Sequence, residues 1–288
     1  MHEDLLHTAV EGARAGGEVL RRSFRDESLV VQAKAVHDYV TAADRESEAA
    51  VVAAVRRRHP DHRIVAEEGG LVSEASGASG AAGGDAVEWL IDPLDGTTNY
   101  LQGLPVFCVS VACRRGDELL AGAVLDPLRD DLFTTTRGGG AAWNGRPLAV
   151  SGRGGVDGAF LATGYPFKAK DALDAYLAVF RAAFLRARSI RRCGAAAIDL
   201  AYTAAGIYDG FFEFRLSPWD LAAGVLLIEE AGGVVSDLDG GRRHMESGNV
   251  VAGNPATHRE LLAIVRQHAS EELVERQVPR GRPVEVGA

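Results

Sequence analysis

The sequence predicts an α+β fold built from layers of helix and sheet. Segments with helical apolar spacing alternate with strand-like apolar runs in both halves of the chain. In the first half the runs at 105–114, 119–126 and 131–136 follow one another with the turn signals Gly138-Gly139-Gly140 and Asn144-Gly145 close behind, which favours antiparallel hairpins over a purely parallel sheet. At 288 residues the chain can bury a large core, as one big domain or two intimate halves.

Taken in order, residues 3–24 place Leu5, Leu6, Ala9, Val10, Ala13, Val19 and Leu20 at helical spacing. Val30-Val31 suggests a short strand and 34–39 a loop; Thr41 starts a helix that runs to Arg58 and stops at His59-Pro60. Ile64-Val65-Ala66 reads as a strand leading into Glu67-Glu68-Gly69-Gly70, and 71–86, rich in Gly, Ala and Ser, as a mobile surface loop. A strand over 87–91 leads into Asp92. In the second half, strands are expected at 159–163, 189–192, 208–214, 234–235 and 250–251, with helices at 172–184, 195–205, 217–231 and 255–268. Residues from about 271 are charged, carry Pro and Gly, and read as a loose tail.

A net charge of −9 argues against a general nucleic-acid or anionic-membrane binder, and no run approaches the roughly 20 apolar residues of a membrane span. Cys108, Cys113 and Cys193 form no metal-type pair, and the acidic start Met1-His2-Glu3-Asp4 lacks a signal-peptide pattern, so a cytoplasmic location is expected.

The segment Trp89-Leu90-Ile91-Asp92-Pro93-Leu94-Asp95-Gly96-Thr97-Thr98-Asn99 sets two carboxylates three residues apart at the end of an apolar run, followed by a glycine that can open a helix start. Paired carboxylates hold hard divalent cations, and helix starts hold phosphate. The rival reading is a solvated turn. The chain carries its own comparison in Leu125-Asp126-Pro127-Leu128-Arg129, which has an arginine where Asp95 stands and reads as an ordinary turn. Asp95 and Gly96-Thr97 therefore carry the signal. Glu67 and Glu68, at the tip of a neighbouring strand, can bring a further acid to Asp92. Asp44 and Asp220 sit three residues after Thr41 and Ser217, and by spacing alone each is better read as half of a capping box. His2, His7, His59, His62, His244, His258 and His268 read as surface residues, and only His37 is kept in view. An all-oxygen ligand set points to Mg²⁺, with Mn²⁺ as a substitute, rather than zinc.

Together these residues resemble the inositol monophosphatase family, bacterial inositol-1-monophosphatases in particular. The resemblance runs over about residues 3–268 and rests on Glu67-Glu68-Gly69, Asp92 to Asn99 and Trp219-Asp220 before an Ala-rich helix ending Glu230-Ala231-Gly232-Gly233. Asp38 to Asp44, Gly138 to Gly145, Thr163 to Phe167 and Asp209 to Glu213 add to it. It implies a layered α-β-α-β-α sandwich over 1–270. The metal motifs would lie in the half up to about 150, the substrate side and Asp220 in the half from 151 to 270, with a flexible tail over 271–288. It also implies a phosphatase with two or three Mg²⁺ per site, lithium sensitivity and a homodimer. By position, Glu67, Asp92 and the Leu94 carbonyl would hold one metal, Asp92, Asp95 and Asp220 a second, and Glu67 would touch a third. Gly96 and Thr97 would hold phosphate, Thr97 backed by Asp44 would orient the attacking water with Glu67, and Glu213 with Gly194-Ala195-Ala196 would meet the alcohol, beside Asp95 and Asp220. On this view Asp44 and Asp220 do more than cap. Where relatives usually have Gly-Ser-Ala, Ala195 removes a hydroxyl beside the substrate.

The expected reaction is hydrolysis of a small phosphorylated polyol, myo-inositol monophosphate first, with neither nucleic acid nor membrane as partner. Histidinol phosphate, fructose 1,6-bisphosphate and 3′-phosphonucleotides are the alternative substrates. A regulatory binding protein on the same fold is the alternative from another class.

Overall fold

The computed structural model describes residues 2–26, 31–35, 38–73, 86–166 and 170–269. The chain begins with α1 (His2–Ser23), the hairpin β1 (Val31–Ala35) and β2 (Asp38–Thr41), and α2 (Ala42–Arg58). Next come β3 (Arg63–Ala66), β4 (Gly70–Ser73), β5 (Val87–Asp95), the short α3 (Thr97–Leu101), β6 (Cys108–Arg115), β7 (Glu118–Asp126), β8 (Asp131–Thr136), β9 (Gly140–Trp143) and β10 (Arg146–Pro147). The second half holds β11 (Phe160–Thr163), α4 (Leu173–Phe184), β12 (Ser189–Arg191), α5 (Ala196–Ala204), β13 (Gly210–Glu213) and α6 (Pro218–Glu230). It ends with β14 (Val234–Ser236), α7 (His244–Ser247), β15 (Val250–Gly253) and α8 (Pro255–His268).

Eight strands form a sheet in the order β10-β9-β8-β7-β6-β5-β3-β4, antiparallel throughout except where β3 runs parallel to β5. A second sheet of five has the order β12-β11-β13-β15-β14, parallel across β12, β11 and β13 and antiparallel on the β15 side. The strand period of two divides each sheet's residues between two cores. On β5, Trp89 and Ile91 pack with α1 and α2, while Leu90 between them faces α5 and α6. On β13, Phe211 joins the α5 and α6 side and Phe212 the α4 and α8 side. The layers are therefore helix, sheet, helix, sheet, helix. Strands covered on both faces are apolar at most positions, which is why β5, β6 and β7 read as near-continuous apolar runs.

The central helix α6 buries every residue from Asp220 to Ile228 because it lies between two sheets. Space there is tight. A Cβ at Gly224 would lie 2.4 Å from the Leu200 Cβ on α5, and one at Gly122 on β7 would lie 3.1 Å from the Ala223 Cα.

Several expectations need correction. The loop expected at 34–39 is largely the β1–β2 hairpin, and His37 lies outside the described residues. The stretch 71–86 opens as β4, paired with β3; its residues 74–85, like the tail 271–288, lie outside the described residues. The short β9, β10, α3 and α7 went unread because two to five residues are too few to show a period. His244 and His258 are buried rather than superficial, at 6% and 8% exposure. His258 Nε2 lies 2.8 Å from Ser236 Oγ, and burial pushes both imidazoles below their ordinary range. The His59 and His62 rings stack at 4.5 Å, and Trp89 Nε1–H donates to His62 Nδ1 at 3.0 Å.

Packing and helix propensity make opposite predictions for Gly224→Ala. Propensity favours alanine by about 1 kcal/mol, but overpacking costs about 1–3 kcal/mol. Because the α5 backbone-proximal Cβ of Leu200 cannot swing aside, the variant is expected to be less stable by about 1 kcal/mol, measured by urea unfolding; a more stable variant would contradict this packing.

Candidate metal and phosphate site

Strand pairing sets the first acids. Ala66 on β3 lies opposite Ile91 on β5, and the Glu67 N–H donates to the Ile91 carbonyl at 3.1 Å, so Glu67 and Asp92 leave adjacent strand tips side by side. Asp92 pairs with Ser110 and Asp95 with Cys108, which leaves one extra residue on β5 between them. In a regular strand residues three apart face opposite sides; the bulge returns Asp95 to the side of Asp92. Pro93, with no N–H to contribute to the ladder, sits within this interruption. Asp126 shows what the other segment does: its Oδ1 accepts from the Leu128 and Arg129 N–H groups and its carboxylate is paired to Arg129, an Asx turn with its charge neutralised. Asp92 Oδ1 accepts from the Leu94 N–H at 3.0 Å in the same way but has Asp95 where Asp126 has arginine.

Three acids of the site occupy helix N-termini. Asp44 Oδ2 accepts from the Thr41 N–H at 2.8 Å and the Thr41 hydroxyl at 2.6 Å, closing a capping box on α2. Its Oδ1 stands 3.3 Å from Thr97 Oγ1. Asp220 Oδ2 accepts from the Ser217 N–H at 2.8 Å at the start of α6. Asp95 Oδ2 accepts from the Ala197 N–H at 2.7 Å and so caps α5 from a distant strand. Capping and site membership coexist because a carboxylate has two oxygens. Gly96 holds φ +96° at the start of α3, where a Cβ would lie 2.9 Å from the Val106 carbonyl, so glycine is required at the turn. Asn99 Nδ2 donates to the Val106 and Cys193 carbonyls at 2.8 and 2.9 Å, tying the motif to the Gly194 turn of the second half.

Glu67, Asp92, Leu94, Asp95, Gly96, Thr97, Gly194, Ala195, Ala196, Glu213 and Asp220 line one cavity of about 300 Å³. Asp44 stands behind Thr97 and does not line it, and neither does Glu68, whose N–H donates to Glu48. The cavity is strongly acidic. Burial and then the neighbouring charges of Glu67, Asp95 and Asp220 hold Asp92 well above the usual carboxylate range. Burial and Asp220 push Asp95 up to about 7. Glu213 is likewise raised, by burial first and then by Asp199. Among the described residues no three His, Cys, Asp or Glu side chains stand in a ready-made ligand geometry. Asp92, Asp95 and Asp220 each turn one oxygen onto a backbone N–H group. Their donors are all oxygen and repel one another, and this chemistry fits a hard divalent cation.

Sequence reasoning missed Asp199. It lies in the cavity wall on the first turn of α5, 1% exposed, with Oδ1 lacking a hydrogen-bond partner among the described residues. Its signal was present: it is the one charged side chain in an otherwise apolar helix. The wall also includes Tyr165 and Arg192, whose guanidinium lies 4.9 Å from the Tyr165 ring centre. The structure also refines the departure at Ala195. This residue is the N-cap of α5 and provides no side-chain cap, so the hydroxyl missing here is a helix cap at the cavity wall. Two quoted motifs are structural: Asp209 Oδ2 accepts from Arg153 and the Phe160 N–H, and Glu230 accepts from the Gly138 and Gly140 N–H groups.

The profile of the Inositol monophosphatase family matches residues 1–270. The chain belongs to this family. Among curated relatives, the Nus factor SuhB of Pseudomonas aeruginosa is 48% identical over 274 residues, covering 94% of this chain and 99% of that protein. Among solved structures, the extragenic suppressor protein suhB from Bartonella henselae superposes with TM-score 0.85 at 35% identity, covering 92% of this chain and 99% of that one. An inositol monophosphatase from Anabaena (Nostoc) superposes with TM-score 0.81 at 36% identity, covering 94% and 98%. The family's mixed helix-and-sheet fold is the one described above.

Restoring the cap is expected to stabilise this member of the family. In Ala195→Ser the new Oγ can accept from the Ile198 N–H, the Ala197 N–H being held by Asp95, and such a cap contributes about 0.5–2 kcal/mol. A higher urea midpoint with an unchanged slope is the expected result; a lower midpoint would mean that the buried wall cannot accommodate the hydroxyl.

Proposed function

We propose that the chain is a Mg²⁺-dependent phosphomonoesterase that releases phosphate from a neutral polyol monophosphate, with myo-inositol monophosphate the leading substrate. The observation that carries the reading is the cavity itself: mutually repelling acids beside the glycine turn and N-terminus of α3. Glu67, Asp92, the Leu94 carbonyl, Asp95 and Asp220 would hold the cations. When bound, these would supply charge neutralisation for the phosphate and a water acidic enough to react near neutral pH.

The chain's own groups would do the rest. The Gly96 and Thr97 N–H groups would bind phosphate oxygens. Thr97 Oγ1 lies 3.1 Å from the Leu94 carbonyl and 3.3 Å from Asp44 Oδ1, and its single proton serves one of them. With that proton given to Asp44, a lone pair of Thr97 is left to accept from, and so orient, the attacking water, with Glu67 as the second acceptor. Asp44, fixed on its own helix cap, is thereby a positioning residue. No covalent phosphoenzyme is invoked: both cysteines nearest the site are thiols held protonated by burial, Cys108 at 3.7 Å from Asp95 and Cys193 beside Tyr208. On the alcohol side, buried Glu213 and Asp199 suit hydroxyl donors, which favours a polyol, while Arg192 in the same wall is a basic group that keeps bisphosphates and phosphonucleotides as the alternatives. Lithium sensitivity and a cytoplasmic location belong to the same proposal. No described helix is long and apolar enough to cross a membrane.

A second reading has its own support. The Pseudomonas relative at 48% identity is called a Nus factor, so a regulatory role on this fold, with or without turnover, stands beside catalysis.

One experiment tests the catalytic reading. Phosphate release is measured with and without Mg²⁺ on inositol 1-phosphate, histidinol phosphate, fructose 1,6-bisphosphate and a 3′-phosphonucleotide. The expected result is Mg²⁺-dependent turnover greatest on inositol 1-phosphate, with Glu213→Ala lowering that preference by about tenfold, equivalent to about 1.4 kcal/mol, while the Mg²⁺ dependence is unchanged. No release from any substrate would leave the regulatory reading alone.

A further inference from the structure

Asp199 is an acid whose hydrogen bonding the fold leaves incomplete. The other buried side chains of α5 are Ala, Ile and Leu, apart from Thr203. Thr203 gives its hydroxyl to the Asp199 main-chain carbonyl at 2.8 Å and not to the carboxylate. The Cys193 thiol stands beside the carboxylate, which leaves Oδ1 without a partner among the described residues. Ala195 and Ala196, one turn earlier and in the same cavity wall, bring only methyl groups. Where relatives usually have a serine hydroxyl, Ala195 has none. The start of a helix favours an acid, but that advantage does not require burial, and a buried acceptor left unpaired costs free energy.

What completes Asp199 must enter the cavity and carry a donor. Phosphate oxygens are anionic acceptors, so the phosphate end of a ligand is unsuited. Ammonium and hydroxyl groups both donate. The Arg192 guanidinium in the same wall acts on Asp199 through its charge without forming an ion pair with it, and it opposes a cationic ligand group. A neutral hydroxyl is the donor that suits both. Glu213 supplies a second acceptor from β13. Its carboxyl rests on Gly164, where a side chain has no room, and Asp199 is the strongest of the charges acting on it, so the two acids are neighbours across the cavity.

We propose that Asp199 is a specificity-determining residue: its Oδ1 accepts a hydrogen bond from one hydroxyl of the substrate alcohol while Glu213 accepts from another. The substrate class is then a phosphomonoester whose alcohol carries at least two further hydroxyls, close enough together to be read at once. The inference rests on the proposed phosphatase site, which takes the phosphate end at α3 and leaves the alcohol facing α5 and β13.

Calorimetric titration of the full chain tests this in Ca²⁺, a hard cation that takes the same kind of oxygen donors. The ligands are inositol 1-phosphate and, as the probe without an alcohol, inorganic phosphate. In Asp199→Ala the Kd for inositol 1-phosphate is expected to rise about tenfold, and that for phosphate not to rise. Asp199→Asn, which keeps an oxygen acceptor in a side chain of the same shape, should restore most of the loss. Unchanged binding of inositol 1-phosphate in Asp199→Ala, an equal loss for phosphate, or Asp199→Asn no better than Asp199→Ala would each overturn the proposal. A larger loss for histidinol phosphate than for inositol 1-phosphate would assign Asp199 to an ammonium group and overturn it too. Wild type that binds phosphate but not inositol 1-phosphate would overturn this inference and leave the phosphate site standing; binding of neither ligand would remove both.

Discussion

The rest of the site depends on carboxylates held at helix N-termini. Asp44, Asp95 and Asp220 lie at the starts of α2, α5 and α6, each with one oxygen on a backbone N–H. A helix start favours an adjacent anion by about 0.3–1 kcal/mol, up to about 2 in partly buried geometry. Taking an ion out of water costs several kcal/mol even after relaxation. The helices fix where the acids sit but do not make their charges comfortable, and the upward shifts at Asp92 and Asp95 are the residue of that imbalance. A bound cation resolves it. On the proposed function, preorganisation by the fold and affinity for metal would have one physical origin.

The layers exist to bring those helix starts together. The parallel pairing of β3 with β5 sets Glu67 beside Asp92, and the single extra residue on β5 turns Asp95 to the same side. Between the sheets, α5 and α6 approach closely enough to need Gly224, and that approach brings Ala197 to Asp95 and Asp220 to Asp92. Asn99 then ties the motif to the turn that carries Gly194.

Much of this was legible in the sequence, for particular reasons. The long helices show their period, and the doubly covered strands show as apolar runs. The comparison of Asp126 with Asp92 isolated the informative residues, and Arg129 does neutralise the former. Spacing alone favoured capping for Asp44 and Asp220, and capping is real; what spacing could not express is that the second oxygen of such an acid can face a site, as Asp44 Oδ1 faces Thr97. Asp199 and the cap role of Ala195 were hidden because each depends on where α5 is placed, a tertiary fact. The buried His244 and His258 were misread because flanking polar residues do not report what α7 and α8 pack against. The short β9 and β10 carry too few residues for any periodic signal.

Anomalous scattering from Mn²⁺ tests the central claim most directly. Crystals grown with Mn²⁺ and measured near its absorption edge should show at least one peak bounded by Asp92, Asp95 and Asp220, with Glu67 at the same cluster. No peak there, with Mn²⁺ absent or bound only at other surface acids, would contradict the account.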